Sequence, residues 1–231
     1  DLPARQVHGD DAHAAAGLPR AAQADAGKRR DAVQKALAQR QLMAAKALDA
    51  LLETNLKLLD QFIEAGVDGI FLSTQFGTRN LLSKELREEL CHQYDRALLE
   101  HIKDRTWFNM LHVHYCEDLV MEEYMDYPVQ AFNWENCTAC PDMSRLTSIR
   151  QVREMTDKII IGGIDQHNDF HDPNNDRELI KERLRRRLLT ALEECGDYNF
   201  VFAPGCALPM DVDRYVFTLM EEVVEEEGLA K

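Results

Sequence analysis

The residues in this sequence best suited to chemistry are two histidines and two cysteines. Leu111-His112-Val113-His114-Tyr115-Cys116 follows the apolar run Trp107 to Leu111. If this stretch is a buried strand that continues to Cys116, the two-residue period of a strand sends His112, His114 and Cys116 to one side. Three side chains able to ligate a metal or carry a proton then line one surface. Farther along, Phe200 to Cys206 reads as a second strand that ends in a thiol. Between them, Cys137 and Cys140 form a Cys-x-x-Cys pair that could supply a further ligand, although one such pair without a second is a weak zinc signal.

These side chains need a scaffold to bring them together. At 231 residues the chain can bury a substantial core, and one α/β domain is the natural expectation. A formal charge of -14 and a pI near 5.0 argue against a nucleic-acid surface, since phosphates are repelled by that field. The basic run Arg183 to Arg187 lies in a helical pattern and reads as a solvated helix face. No run of about 18 apolar residues exists, so no membrane span is expected. The six cysteines in a chain of this size do not suggest a disulfide-stapled secreted domain, which points to a reducing cytoplasm.

Residues 1–27 are rich in Ala, Asp, Gln and Arg, and they read as a disordered or loosely helical tail. A partial barrel-like domain is expected over 28–231. It begins with a long helix from Lys28 to Ala65, ended by Gly66. Val67 to Leu72 then reads as a strand, followed by the polar loop Ser73-Thr74-Gln75, and Ser83 caps a helix that runs to about Lys103. Strands are expected at Trp107 to His114, Val129 to Trp134, Lys158 to Asp165 and Tyr198 to Phe202. The expected helices are Leu119 to Met125, Ser144 to Met155, Arg177 to Glu194 and Val212 to Glu227. Five strands alternating with helices predict a parallel sheet, and a doubly wound sheet and a (β/α)8 TIM barrel both fit. In either fold the loops after the strands form the functional face.

Five motifs, taken in order, resemble the uroporphyrinogen decarboxylase superfamily: Ala65 to Phe71, Leu111 to His114, Phe132-Asn133-Trp134, Gly162 to Asp165, and Ala203 to Pro209. That superfamily also holds zinc-dependent methyltransferases acting between corrinoid proteins and thiols. The resemblance covers roughly Ala47 to Leu229 and implies a (β/α)8 TIM-barrel fold of which these are the last five βα units.

The resemblance first implies carboxy-lyase chemistry on a tetrapyrrole-related substrate, with no cofactor. His114 and Asp165 are then the catalytic candidates, and Gln75, His112, Trp134 and Gly163 the substrate-binding ones. The family's pyrrole-binding aspartate and carboxylate-binding arginines belong to the upstream part and map to nothing here. Its alternative is methyl transfer between a corrinoid protein and a thiol, with zinc held by His112, His114, Cys116 and Cys206. Two alignments are open. One matches His112, His114 and Cys206 to the family ligands, and the other slides by two residues to His114, Cys116 and Cys206. A third reading is a non-catalytic barrel fragment. A homodimer or an upstream barrel half would then cover the sheet, and the edge strand Val67 to Leu72 would otherwise expose unpaired backbone. Cys91 and Cys195 read as packing residues.

Overall fold

A helix must bury its apolar stripe and a strand its alternate residues, and the chain does both around one parallel sheet. The computed structural model describes residues 43–137 and 142–229. The expected tail 1–27, the first part of the expected long helix and Cys140 all lie outside the described residues. The described residues from 52 onward belong to one compact unit. Residues 43–64 are helical (α1), and Leu59 and Ile63 of this helix join the core. Gly66 takes a φ of 85° past the helix end, and Val67 N–H donates back to the Phe62 carbonyl, which closes the last turn.

The five strands are β1 Phe71–Thr74, β2 Met110–Val113, β3 Ala131–Trp134, β4 Ile159–Ile164 and β5 Phe200–Pro204. All neighbouring pairs are parallel, and the order in the sheet is the order in the chain. A doubly wound sheet reverses its strand order at a switch point, and this one does not. The arrangement is the singly wound, partial TIM-barrel type.

β1 starts later than expected. Residues before it are used to join segments instead: the Asp68 carbonyl accepts from Trp107 and Phe108, and Ile70 N–H donates to Asn109 Oδ1 at 3.0 Å.

Between β1 and β2 the helix expected from Ser83 forms in two pieces, α2 Lys84–Arg87 and α3 Gln93–Ile102. A π-helical turn, Glu88–His92, joins them. After β2, Leu119 to Met125 contains only a 3-10 turn, Met121–Glu123, with Leu119, Val120, Met121 and Tyr124 buried and Glu122 exposed. The helix expected over Ser144 to Met155 is also divided. Met143–Arg145 is a 3-10 turn, Leu146 is extended, and α4 Ile149–Arg153 starts at Ser148, whose capping box with Gln151 sets the helix start. α5 Arg177–Cys195 packs on β4 and on α6 Tyr215–Glu226.

One face of the sheet carries the core. Leu111, Val113, Phe132, Trp134 and Ile160 are fully buried there. The alternate residues, Phe71, Ser73, Met110, His112, Asn133, Ile161 and Val201, line an open groove on the other face.

Candidate metal centre

The β2 ladder ends at Val113, yet His114 stays in place because its backbone N–H donates to the Thr74 carbonyl at 3.0 Å. His112 and His114 therefore both reach the groove. The third group comes from far along the chain. After β5, Gly205 passes so close to the Trp134 carbonyl that a Cβ there would sit 2.7 Å from it, and its N–H donates to Ile164. Only glycine permits this approach, and it leaves Cys206 facing the histidines. Cys206 Sγ lies 3.6 Å from His112 Nε2 and 3.9 Å from His114 Nδ1. The three ligand atoms are all within 4.8 Å of one another.

This geometry can be compared with what zinc requires. Bonds of about 2.0–2.3 Å in a tetrahedron place a sulfur and a nitrogen about 3.5 Å apart. The two sulfur–nitrogen distances lie close to that span, and two imidazoles with a thiol form a donor set of the zinc type.

The surroundings also prepare the donors. Asn133 Nδ2 donates to the carbonyls of Ile161 and Pro204, at 3.0 and 3.1 Å, which fixes its amide orientation. Its Oδ1 then faces His112 Nδ1 at 2.6 Å and can only accept, so the proton sits on Nδ1 and the Nε2 lone pair points at Cys206. Burial pushes the His112 pKa down, which favours the neutral ring a metal needs. Burial pushes the Cys206 thiol up; the Ala207 backbone N–H opposes this and the charge of Glu135 adds to it. A nearby cation would reverse that balance and favour the thiolate.

The groove has a volume of about 710 Å³, and Gln75, His112, His114 and Cys206 line it. The other expected residues lie elsewhere. Cys116 departs from the expected alternation, because the ladder has ended and Tyr115 takes a φ of 97°, which redirects the chain. Cys116 is disulfide-bonded and is not part of the cluster, so the alignment on His112, His114 and Cys206 is the one the geometry assembles. Trp134 is on the opposite face of the sheet, fully buried, with its indole N–H donating to the Thr147 carbonyl at 2.7 Å. Gly163, at φ 97°, turns its missing side chain toward Ala191 of α5 and toward Phe200 and Phe202. Asp165 is buried in the turn after β4, where it accepts from His167 N–H and Asn168 Nδ2. Cys137 is held as a thiol by burial, which pushes it up to about 12, and it too is outside the cluster.

Reasoning from the sequence missed Asn133 and Glu135 as partners of the site. The signal for Asn133 was its position, two residues after Ala131 on a strand whose neighbours pack outward. Glu135 had none beyond following a strand end. Phe71 was also missed; its ring stacks on His112 at 5.7 Å.

Singly wound parallel strands with polar side chains gathered beyond their carboxyl ends define the class as a (β/α)-barrel type. The chain belongs to the uroporphyrinogen decarboxylase (URO-D) family, whose model matches residues 22–227. Among solved structures, a methyltransferase from Methanosarcina mazei is similar with a TM-score of 0.59 and 16% identity. That similarity covers 79% of this chain and 49% of the other, so this chain spans about half the neighbour's length. At this identity the likeness extends to the fold. No curated protein sequence matches the chain. Among the described residues no helix is long and apolar enough to cross a membrane.

Proposed function

We propose that this chain provides the metal-holding wall of a methyl-transfer site in which a thiol receives a methyl group from a corrinoid donor. The observation that carries the reading is the convergence of His112 Nε2, His114 Nδ1 and Cys206 Sγ within 4.8 Å at the carboxyl ends of β2 and β5. Zinc, when bound, lowers the pKa of a coordinated thiol so that a thiolate is present at neutral pH. The chain's own residues do the rest. Asn133 holds the proton of His112 on Nδ1, Glu135 stands beside Cys206, and Phe71 stacks on the outer face of the His112 ring. The apolar floor of Phe108, Met110, Ile161 and Val201 keeps water from the base of the groove once the open face is covered. An upstream barrel half or a second copy is the cover in this reading.

A second reading is decarboxylation of a tetrapyrrole-related substrate, supported by the name of the matching family and by His114 on the groove wall, where it can carry a proton. It assigns no metal. In that reading Asp165 shapes the turn after β4, and Gly163 lets β4 pack closely against Ala191 of α5.

Metal analysis of protein purified without chelator separates the two. About one zinc per chain, lost in Cys206→Ala, is expected on the first reading. Methyl transfer from methylcobalamin to a small thiol should then fall with the metal. Absence of zinc from both proteins, together with turnover of uroporphyrinogen that is lost in His114→Ala, would replace the first reading with the second.

A further inference from the structure

The backbone just beyond β2 holds a strained residue beside a candidate ligand. Tyr115 takes a φ of 97°, a region that suits glycine and in which an aromatic residue is an outlier. Such a conformation persists where the flanks over-determine it, and here both are tied down. On the strand side, His114 N–H donates to the Thr74 carbonyl at 3.0 Å. On the other side, Glu117 pairs with Leu146 in an antiparallel bridge, and its carbonyl accepts from Thr78 Oγ1 at 2.9 Å. Asp118 N–H donates to the Arg145 carbonyl, also at 2.9 Å. The turn therefore comes from its anchored flanks, and glycine would make it without strain.

What a tyrosine adds at this place is its ring. The Tyr115 and His114 ring centroids are 4.8 Å apart with the planes at 59°, inside the range of aromatic pairs. The contact completes a row of rings: Phe71 stacks on His112 at 5.7 Å, His112 lies 5.8 Å from His114, and Tyr115 closes the outer end. The two imidazoles differ in how else they are held. His112 has Asn133 Oδ1 on Nδ1 at 2.6 Å, whereas among the described residues the His114 ring has only Cys206 itself, 3.9 Å from Nδ1. Tyr115 is 38% exposed, so burial in the core does not account for the placing of its ring.

We infer that Tyr115 is a positioning residue for His114: its ring lies against the imidazole, restricts rotation of that side chain, and keeps Nδ1 turned toward Cys206. It does for His114 by ring contact what Asn133 does for His112 by a hydrogen bond. The inference rests on the metal reading only for its consequence. An imidazole already aimed at the thiol loses less freedom on coordination, and zinc is bound more tightly.

Three variants of the full chain separate the ring from the turn. Tyr115→Phe keeps the ring, Tyr115→Ala removes it and leaves a β-carbon in the strained turn, and Tyr115→Gly removes both ring and strain. In metal-free protein, NMR of the His114 ring protons reads the contact through the ring current of Tyr115. Those signals should move in Tyr115→Ala and Tyr115→Gly and stay near their wild-type positions in Tyr115→Phe. In a competition titration, zinc affinity should fall by about three- to tenfold in Tyr115→Ala and Tyr115→Gly, the size of one aromatic pair, and hold in Tyr115→Phe. Tyr115→Gly should meanwhile unfold at a higher urea concentration than Tyr115→Ala, because glycine relieves the turn. A loss of affinity shared by these two then follows the ring and not stability. His114 signals unmoved in Tyr115→Ala, or an affinity that follows urea stability across the variants, overturns the inference. If wild type binds no zinc while the His114 signals behave as stated, the positioning stands and the metal reading falls. If zinc binds and is lost in Cys206→Ala but is held equally by Tyr115→Ala and wild type, the metal reading stands and the positioning falls.

Discussion

Alternate residues of the same five strands build two faces that do opposite work. On the helix side, Val113, Phe132, Trp134 and Ile160 are fully excluded from solvent. On the groove side, Phe71 is 53% exposed and Val201 is 44% exposed, while His112 faces Asn133 with one ring nitrogen and Cys206 with the other. Stability therefore resides mainly on one side and chemistry on the other, and a one-residue displacement along a strand moves a side chain from one role to the other.

The largest effect is expected on the packed side. Trp134→Ala removes a fully buried indole and the donor to the Thr147 carbonyl, and it should cost about 3–5 kcal/mol in urea unfolding. A cost below about 1 kcal/mol would mean that the packed side is not where stability resides.

Acid should act next, through the ion pair at the edge of the same side. Arg87 and, more weakly, His92 hold the Glu123 carboxyl down at about 2 against burial, from 4.5. A depressed acid contributes its stability above its unfolded pKa and loses it as pH falls through the folded one. Stability from this group should be full above pH 4.5 and gone by about pH 2, a change of up to about 3 kcal/mol. Glu123→Gln should flatten that part of the acid-unfolding curve. An unchanged curve would show that the pair does not hold in solution.

On the groove side the effects should fall on binding. Asn133→Ala frees the His112 tautomer and should weaken zinc affinity by about 10–100-fold in a competition titration. An affinity equal to wild type would remove Asn133 from the site. Smallest of all, Phe71→Ser should change stability by about 0.5 kcal/mol or less, as expected for an exposed side chain. A cost comparable to that of Trp134→Ala would reveal a cover over the groove in solution.

Much of the fold was legible because buried parallel strands read as short apolar runs between helical stripes. Ile159 to Ile164 and Arg177 to Cys195 are nearly where periodicity places them. The misplaced elements lie where side chains replace the expected period. Ser148 starts its own helix through a capping box, and in the Leu119 to Met125 segment the three consecutive residues Leu119, Val120 and Met121 are all buried. In the candidate site, His112, His114 and Cys206 were readable as residue types with useful chemistry. Cys116 was misread because strand alternation was carried past the last ladder residue, and Trp134 because a tryptophan near a strand end gives no hint of which face it occupies.

What the sequence by itself determined was the alternation of five strands with helices, the family motifs, and a stock of imidazoles and thiols near two strand ends. Which thiol faces the histidines was decided only by the tertiary structure. Cys206 is 94 residues from His112 and reaches it because the sheet sets β5 beside β4 and Gly205 allows the chain to pass against Trp134. Cys116 is far closer in sequence, but the backbone turns at Tyr115 once the ladder ends, and the strand period no longer governs where its side chain points.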